Sequence, residues 1–243
     1  MTGSTSRLIS LIKKEWEEGV QNKMVLLGVV VLPLFFTGFS VYFLYQYKQA
    51  GDPISQIILL NQTMFYFLLL PVIIPLAIAV YAIVGEKDQG SLEPLLATPL
   101  TDFELFLGKA LASVIPALLI TWISFGLFVG IAALLVSSET LPAVLTLPWL
   151  LVIFALSPLI SIFSVTVTMA ISSRVNDTRA AYQLSSFALL PILVPLIFYS
   201  TRKALIGLSV IGLEAGIVLV IDIGMLYLGI KIFKREEILT RWR

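Results

Sequence analysis

The sequence predicts an all-helical membrane protein that crosses the bilayer several times, on the evidence of its composition and its long apolar runs. Of 243 residues, 58% are hydrophobic and 13% are charged, and the mean hydropathy is +1.00. Soluble domains carry roughly 25% charged residues, so this chain has too little polarity to cover a water-exposed surface. Several charge-free runs reach the roughly 20 residues that a helix needs to span a bilayer.

Six apolar runs are predicted to be transmembrane helices of a single domain that covers residues 1–243. They comprise residues 24–45, 63–84, 110–136, 148–171, 181–199 and 208–230. The fifth run is the shortest and contains Pro191 and Pro195, so a half-span or a broken helix is the alternative there. The residues from 200 to 212 are correspondingly a candidate re-entrant segment.

The distribution of Lys and Arg predicts the orientation, because cytoplasmic loops accumulate these residues. Of the 16 Lys and Arg residues, 13 fall before the first run, in the second and fourth loops, or after the last run. The alternate loops contain only Lys48, Arg202 and Lys203. We therefore expect a multi-pass protein of the cytoplasmic membrane with both termini in the cytoplasm.

The segment from residue 6 to residue 23 is predicted to form an amphipathic helix. Its apolar side chains Leu8, Ile12, Trp16 and Val20 recur every four residues. A Trp at the edge of the apolar face is typical of a helix that lies in the membrane interface, and we expect that location. An ordinary soluble cytoplasmic helix is the alternative.

Composition also limits the chemistry of the chain. Without Cys or His there are no thiolate nucleophiles, no imidazole bases and none of the commonest zinc ligands. A net charge of +1 argues against binding nucleic acid. A membrane-embedded enzyme is disfavoured, and we expect no catalytic residue, no metal and no cofactor bound by this chain.

The most polar internal segment, residues 85–109, is predicted to be an ordered cytoplasmic loop. Ser91 is placed to cap a short helix that ends at Pro99, and Thr101 with Glu104 forms a capping-box pattern before the third span. The short helix carries apolar side chains outside the lipid, at Leu92, Leu95 and Leu96. These leucines either pack beneath the bundle or bind a protein partner.

The same loop resembles the cytoplasmic loop of the permease subunits of type-two ATP-binding-cassette (ABC) exporters. The matching elements are Glu86-Lys87, Gly90-Ser91, Leu92-Glu93, Leu95-Leu96, Thr98-Pro99 and Leu107–Lys109. Residues 172–185 and 232–239 resemble the family as well. With the N-terminal helix and six spans, the resemblance covers essentially the whole chain.

The resemblance implies a non-catalytic permease that pairs with a second copy or a close homologue and binds two ABC ATPase subunits. The loop at 85–109 would form a coupling helix that the ATPase grips, with these contact residues: Glu86, Gly90, Ser91, Leu92, Glu93, Leu95, Leu96 and Pro99. ATP and magnesium would bind the partner, because the chain lacks the P-loop pattern that cradles phosphates. The substrate is not readable, although the apolar lining favours amphiphiles.

Two acidic residues in the last span suggest a rival function. Glu214 and Asp222 lie in an apolar run, where an ionised side chain costs at least about 2.5–3.5 kcal/mol at mid-bilayer. Their spacing places them about 80° apart on a helix, so one broad face can hold both. They either line a translocation path, as in an ion-coupled carrier or channel, or make contacts between helices.

Overall fold

The computed structural model describes residues 2–90, 100–135, 142, 145–200 and 207–232, and within these ranges it is helical without strands. The helices are α1 (Thr2–Gln21), α2 (Lys23–Gln49), α3 (Pro53–Val80), α4 (Glu86–Gln89), α5 (Asp102–Leu135), α6 (Leu147–Leu151), α7 (Ser157–Ser172), α8 (Thr178–Ser200) and α9 (Leu208–Ile232). Two π-helical turns, Tyr81–Gly85 and Val152–Leu156, join α3 to α4 and α6 to α7. The chain therefore runs through them without leaving a helical path.

Five helical segments in the described part of the chain are long and apolar enough to cross a bilayer. They are Val25–Gln49, Pro53–Asp88, Asp102–Leu134, Leu147–Ser172 and Leu208–Ile230. The fifth predicted span, residues 181–199, is not among them, although α8 is an unbroken helix through Pro191 and Pro195. Of the candidate re-entrant segment, residues 201–206 lie outside the described residues.

Helix α3 forms the centre of the bundle and packs against α2, α5, α7 and α8. Proline at position 75 has no amide hydrogen to donate to the carbonyl of Pro71 four residues earlier. The hydroxyl of Ser161 in α7 donates to that carbonyl at 3.2 Å, and the hydroxyl of Ser164 donates to the carbonyl of Val72 at 2.7 Å. Hydroxyls of one helix thus satisfy the backbone of another, as is common between membrane helices.

Aromatic side chains fill the core where α3 meets α5 and the segment that begins with α6. The ring of Phe67 lies 5.1 Å from that of Phe128, which stacks in turn on Trp149 at 6.5 Å. All three side chains are buried. This contact fixes the bundle at the end opposite to the charged groups described next.

Candidate functional site

Four charged side chains meet at the end of the bundle where α1 contacts α4 and the first turns of α5. Lys14 and Glu15 come from α1, Glu86 begins α4, and Lys109 lies in α5; these four residues are called the four-charge cluster. Glu15, Glu86 and Lys109 are buried, with Lys109 only 1% exposed. Two ammonium groups face two carboxylates in the cluster, and Lys14, at its partly exposed edge, also lies 3.3 Å from Glu18 Oε2.

Lys109 is the centre of the four-charge cluster. Its ammonium group donates to Glu15 Oε1 at 2.5 Å, to Glu86 Oε2 at 2.7 Å and to the carbonyl oxygen of Ala82 at 2.6 Å. These three bonds use all three ammonium hydrogens. A buried ion pair is stable only when its hydrogen-bonding groups are satisfied in this way.

Glu86 bridges the two lysines of the cluster. Its second carboxylate oxygen, Oε1, accepts a hydrogen bond from Lys14 Nζ at 2.6 Å. Burial acts to lower the pKa of Lys14, but the hydrogen bond and charge of Glu86 outweigh it and raise the pKa above its ordinary 10.5. Lys14 therefore stays protonated, and the first residue of α4 is bound both to α1 and to α5.

The inward face of α1 is distinct from the apolar face that was predicted to lie in the membrane interface. The helix itself is present, but its buried residues are Leu11, Glu15 and Gly19, whereas Trp16 and Val20 are 40% and 66% exposed. Trp16 and Val20, on the predicted apolar face, are exposed and available to the membrane interface, and the interfacial location stays a prediction. On the inward face, Lys109 draws the carboxylate of Glu15 into the bundle.

Two further contacts hold α1 against α5. The indole nitrogen of Trp16 donates to the carbonyl of Ala112 at 2.9 Å. A β-carbon added at Gly108 would overlap a terminal methyl group of Leu11, so a larger residue there would displace the end of that side chain. Gly108 belongs to the Leu107–Lys109 element of the loop motif and lies at the close contact between α1 and α5.

Lys87 connects the start of the loop to the end of α7. This side chain is 2% exposed, and its ammonium group donates to the carbonyl oxygens of Ser172, Ser173 and Val175 at 3.0, 3.1 and 2.9 Å. The last carbonyls of a helix lack backbone donors, and a cation there satisfies them and complements the helix dipole. Lys87 thus caps α7.

The start of α8 is joined to the same place. The hydroxyl of Thr178 donates to Asp88 Oδ2 at 2.6 Å. Together with Lys87, this bond links α4 to the segment between α7 and α8. The second motif region, residues 172–185, therefore contacts the first.

The described part of the loop ends in a defined turn. Gly90 has a φ of +67°, a left-handed conformation that glycine adopts without strain, and its amide donates to the carbonyl of Lys87 at 3.1 Å. After the gap, Thr101 Oγ1 accepts from the amide of Glu104 at 3.1 Å, and Glu104 Oε2 accepts from the amide of Thr101 at 2.8 Å. The predicted capping box is confirmed.

Two of the eight predicted partner-contact residues lie in the described ranges. Glu86 and Gly90 have the positions given above. The remaining six lie outside the described residues, namely Ser91, Leu92, Glu93, Leu95, Leu96 and Pro99. The structure therefore describes how both ends of the loop are anchored.

The two acidic residues of α9 differ in their surroundings. Asp222 is 2% exposed, and neither of its carboxylate oxygens has a hydrogen-bond partner among the described residues. It lies on the narrow inward stripe of α9 with Ile211, Val218 and Gly229, while Glu214 is only partly buried. No set of three or more acidic residues able to hold a metal ion occurs in the described ranges.

Sequence reasoning identified Glu86 and Lys87 through the loop motif but missed Glu15 and did not foresee what Lys109 binds. Glu15 stands among other charged residues on a helix whose apolar face was expected to lie in the membrane interface. The available signal was a lysine at position 109, next to a long apolar run, where an ammonium group needs acidic partners. Two carboxylates are those partners, and a carbonyl oxygen accepts the third hydrogen bond.

The helices and the buried charges at one end of the bundle define a multi-pass membrane protein whose loop ends are bound firmly to the bundle. A family model described as ABC-2 family transporter protein matches residues 9–238. The chain therefore belongs to the ABC-2 transporter family, which confirms the resemblance seen in the sequence and implies a permease of an ABC transporter with an ATPase partner. No curated protein matches the chain significantly.

Proposed function

We propose that this chain is the permease subunit of an ABC exporter, and that its ATPase docks on residues 85–109. The observation that carries the proposal is the anchoring of both ends of this loop. Glu86 at one end and Lys109 at the other are bonded to each other and to α1. A force applied to the loop is thereby transmitted to α1, α3 and α5 together.

Lys87 and Asp88 extend this connection to the second half of the bundle. Through their hydrogen bonds to the end of α7 and to Thr178, a displacement of α4 also displaces α7 and α8. ATP binding and hydrolysis in the partner then bias two packings of the bundle, since a ligand shifts an equilibrium by its different affinity for two states. The substrate passes at the interface with a second permease copy.

The same contacts support the proposed orientation. The start of α4, the end of α7 and helix α1 lie at one end of the bundle, and they belong to the segments that carry most of the Lys and Arg residues. We place this end in the cytoplasm. Helix α8, with 23 residues, is about 34 Å long at 1.5 Å per residue and serves as the sixth span, which leaves both termini cytoplasmic.

The docking role is tested by co-purification with the ABC ATPase that is co-expressed with this chain. Leu95→Asp and Glu93→Lys are expected to abolish the association, because the first puts a carboxylate into an apolar contact and the second reverses the sign of a charge on the docking surface. Leu145→Asp is the matched control, since Leu145 is 44% exposed in the loop at the opposite end. Unchanged association of both loop variants would refute the docking site.

A further inference from the structure

An apolar crevice of about 230 Å³ lies where α1 crosses the spanning helices. Its walls come from four helices, and its residues include Trp16, Gly19, Val20, Leu26, Ile78 and Pro116. Trp16, Val20 and Leu26 are each at least 40% exposed, so the crevice is open on its outer side. The volume lies below the roughly 300–1,000 Å³ of pockets for drug-sized ligands and leaves room for part of one hydrocarbon chain.

The crevice extends from the level of α1 into the membrane-spanning part of the bundle. Leu26, Ile78 and Pro116 all belong to helical segments that are apolar enough to span a bilayer. Pro116 is seven residues beyond Lys109 along α5, which is about 10 Å further into the bundle. At this depth the medium outside the opening is lipid, so an apolar occupant enters from the bilayer.

Glu17 and Glu18, which flank the lining residues Trp16 and Gly19, pair with Lys13 and Lys14, so among the described residues the cation without an acidic partner near the crevice is Lys23. Lys23, the first residue of α2, is exposed and forms no ion pair with an acidic residue in the described ranges. It is three residues before Leu26 and therefore shares a face of α2 with that wall residue. Glu15, the one acidic residue of the lining, is neutralised by Lys109 and does not repel an anion.

We propose that this crevice binds one acyl chain of an anionic phospholipid, with the lipid phosphate at Lys23. The hydrocarbon chain lies between α1 and the spanning helices, and the headgroup stays at the interface beside the start of α2. With the orientation proposed above, the lipid comes from the cytoplasmic leaflet, where anionic lipids attract basic residues. The site is independent of ATPase docking, and its test requires neither transport nor the ATPase.

The test uses the full chain in nanodiscs that contain a phospholipid with a photoactivatable acyl chain. After illumination, mass spectrometry measures lipid adducts on residues 16–29 relative to residues 217–223 of α9. The latter include Ile217, Val220 and Ile223, which are exposed on a helix surface and report ordinary surrounding lipid. We expect adducts to be enriched on residues 16–29, and equal yields on the two segments would overturn the proposal.

Two variants that fill the crevice make the measurement specific. A β-carbon at Gly19 would meet only Val25, at 3.9 Å, so Gly19→Leu projects its side chain into open space. We expect an adduct loss of about tenfold, because displacing two buried methylenes costs about that much in affinity. Val29→Phe fills the crevice from α2 and keeps the test decisive if Gly19→Leu disturbs α1. Retention of full adduct yield by both variants would overturn the proposal.

The headgroup contact is tested separately, and a control variant accompanies both tests. Anionic phosphatidylglycerol is expected to give about fivefold more adduct than phosphatidylcholine, and Lys23→Ala should remove this preference, since one Lys near an anionic surface contributes about 1 kcal/mol. Gly38→Leu, where an added β-carbon meets nothing within 4 Å, is the matched control and should change neither result. Protein crosslinks at residues 16–29 without lipid adducts would show a second chain in the crevice and refute the lipid.

Discussion

Lys109 Nζ lies 2.5 Å from Glu15 Oε1, which joins two residues 94 positions apart in the sequence. The pair is buried, and Glu86 completes it from a third helix at 2.7 Å from the same nitrogen. The end of the second spanning segment, the start of the third and the N-terminal helix therefore meet at one ammonium group. This contact makes the two ends of the polar loop a single structural unit.

Lys109→Met is expected to destabilise the protein by about 3–5 kcal/mol, because it leaves Glu15 and Glu86 as buried charges without their central partner. Thermal unfolding of the detergent-purified protein measures the change. Lys13→Met is the control, since the Lys13–Glu17 pair is 3.7 Å long, mostly exposed and worth only about 0–1 kcal/mol. Equal stability of the two variants would contradict a structural role for the cluster.

The helices were largely predictable because a bilayer-spanning helix needs a long apolar run, and such runs are visible in the hydropathy of the sequence. The ends of these helices were less predictable. Helix α3 begins at Pro53, ten residues before the apolar run that starts at Thr63. The reason is that Asp52 caps a helix that extends beyond the hydrocarbon. Pro191 and Pro195 suggested a break that α8 does not have. Proline removes a backbone bond, but it does not by itself determine whether the helix continues.

The site was predictable only in part. The pattern around Glu86 and Lys87 is local, so sequence reasoning could find it. The partners of these residues are 23 to 88 positions away, at Lys109, at Lys14 and at the end of α7, and no local period reports such pairing. From the sequence, Glu15 is assigned to the polar face of its helix. Hydrophobic periodicity considers only where the apolar residues recur, and it contains no information on an ion pair with a residue distant in the sequence.

Lys87→Met is expected to loosen the end of α7, because three carbonyl oxygens lose their shared donor. Hydrogen exchange followed by mass spectrometry should show faster amide exchange over residues 170–178 and little change in α2. Lys48→Met, at the far end of α2, serves as the comparison. If residues 170–178 exchange at the wild-type rate, the cap contributes nothing and the proposed link to α7 through Lys87 is lost.

Asp52 provides a prediction of pH dependence at the opposite end. Its side chain accepts from the amide of Ser55 at 2.8 Å, and this hydrogen bond lowers the pKa of Asp52 below its ordinary 3.8. A lowered folded-state pKa means that the stabilisation is present above 3.8 and is lost as the pH falls through the folded value. Asp52→Ala should speed amide exchange in the first turn of α3 at neutral pH, and this difference should shrink in acid.

The control for Asp52 is Asp52→Asn, which keeps a side-chain oxygen that can cap the helix but carries no titrating group. This variant should protect the first turn of α3 at neutral pH and show no loss of protection in acid beyond that of the surrounding helix. A wild-type protein whose protection near Ser55 does not respond to acid would show that the carboxylate is not the cap in solution.

The variant Asp222→Asn distinguishes the proposed permease function from that of an ion-coupled carrier. The carboxylate is buried without a hydrogen-bond partner among the described residues, so the neutral amide should maintain or increase the melting temperature. A pH-sensitive dye in proteoliposomes without any ATPase measures proton flux driven by a gradient. For a permease that works only with its ATPase, wild type and variant should both show the flux of empty liposomes. A flux in wild type that Asp222→Asn abolishes would instead establish a carrier, because the only change is the loss of one ionisable group on the inward stripe of α9.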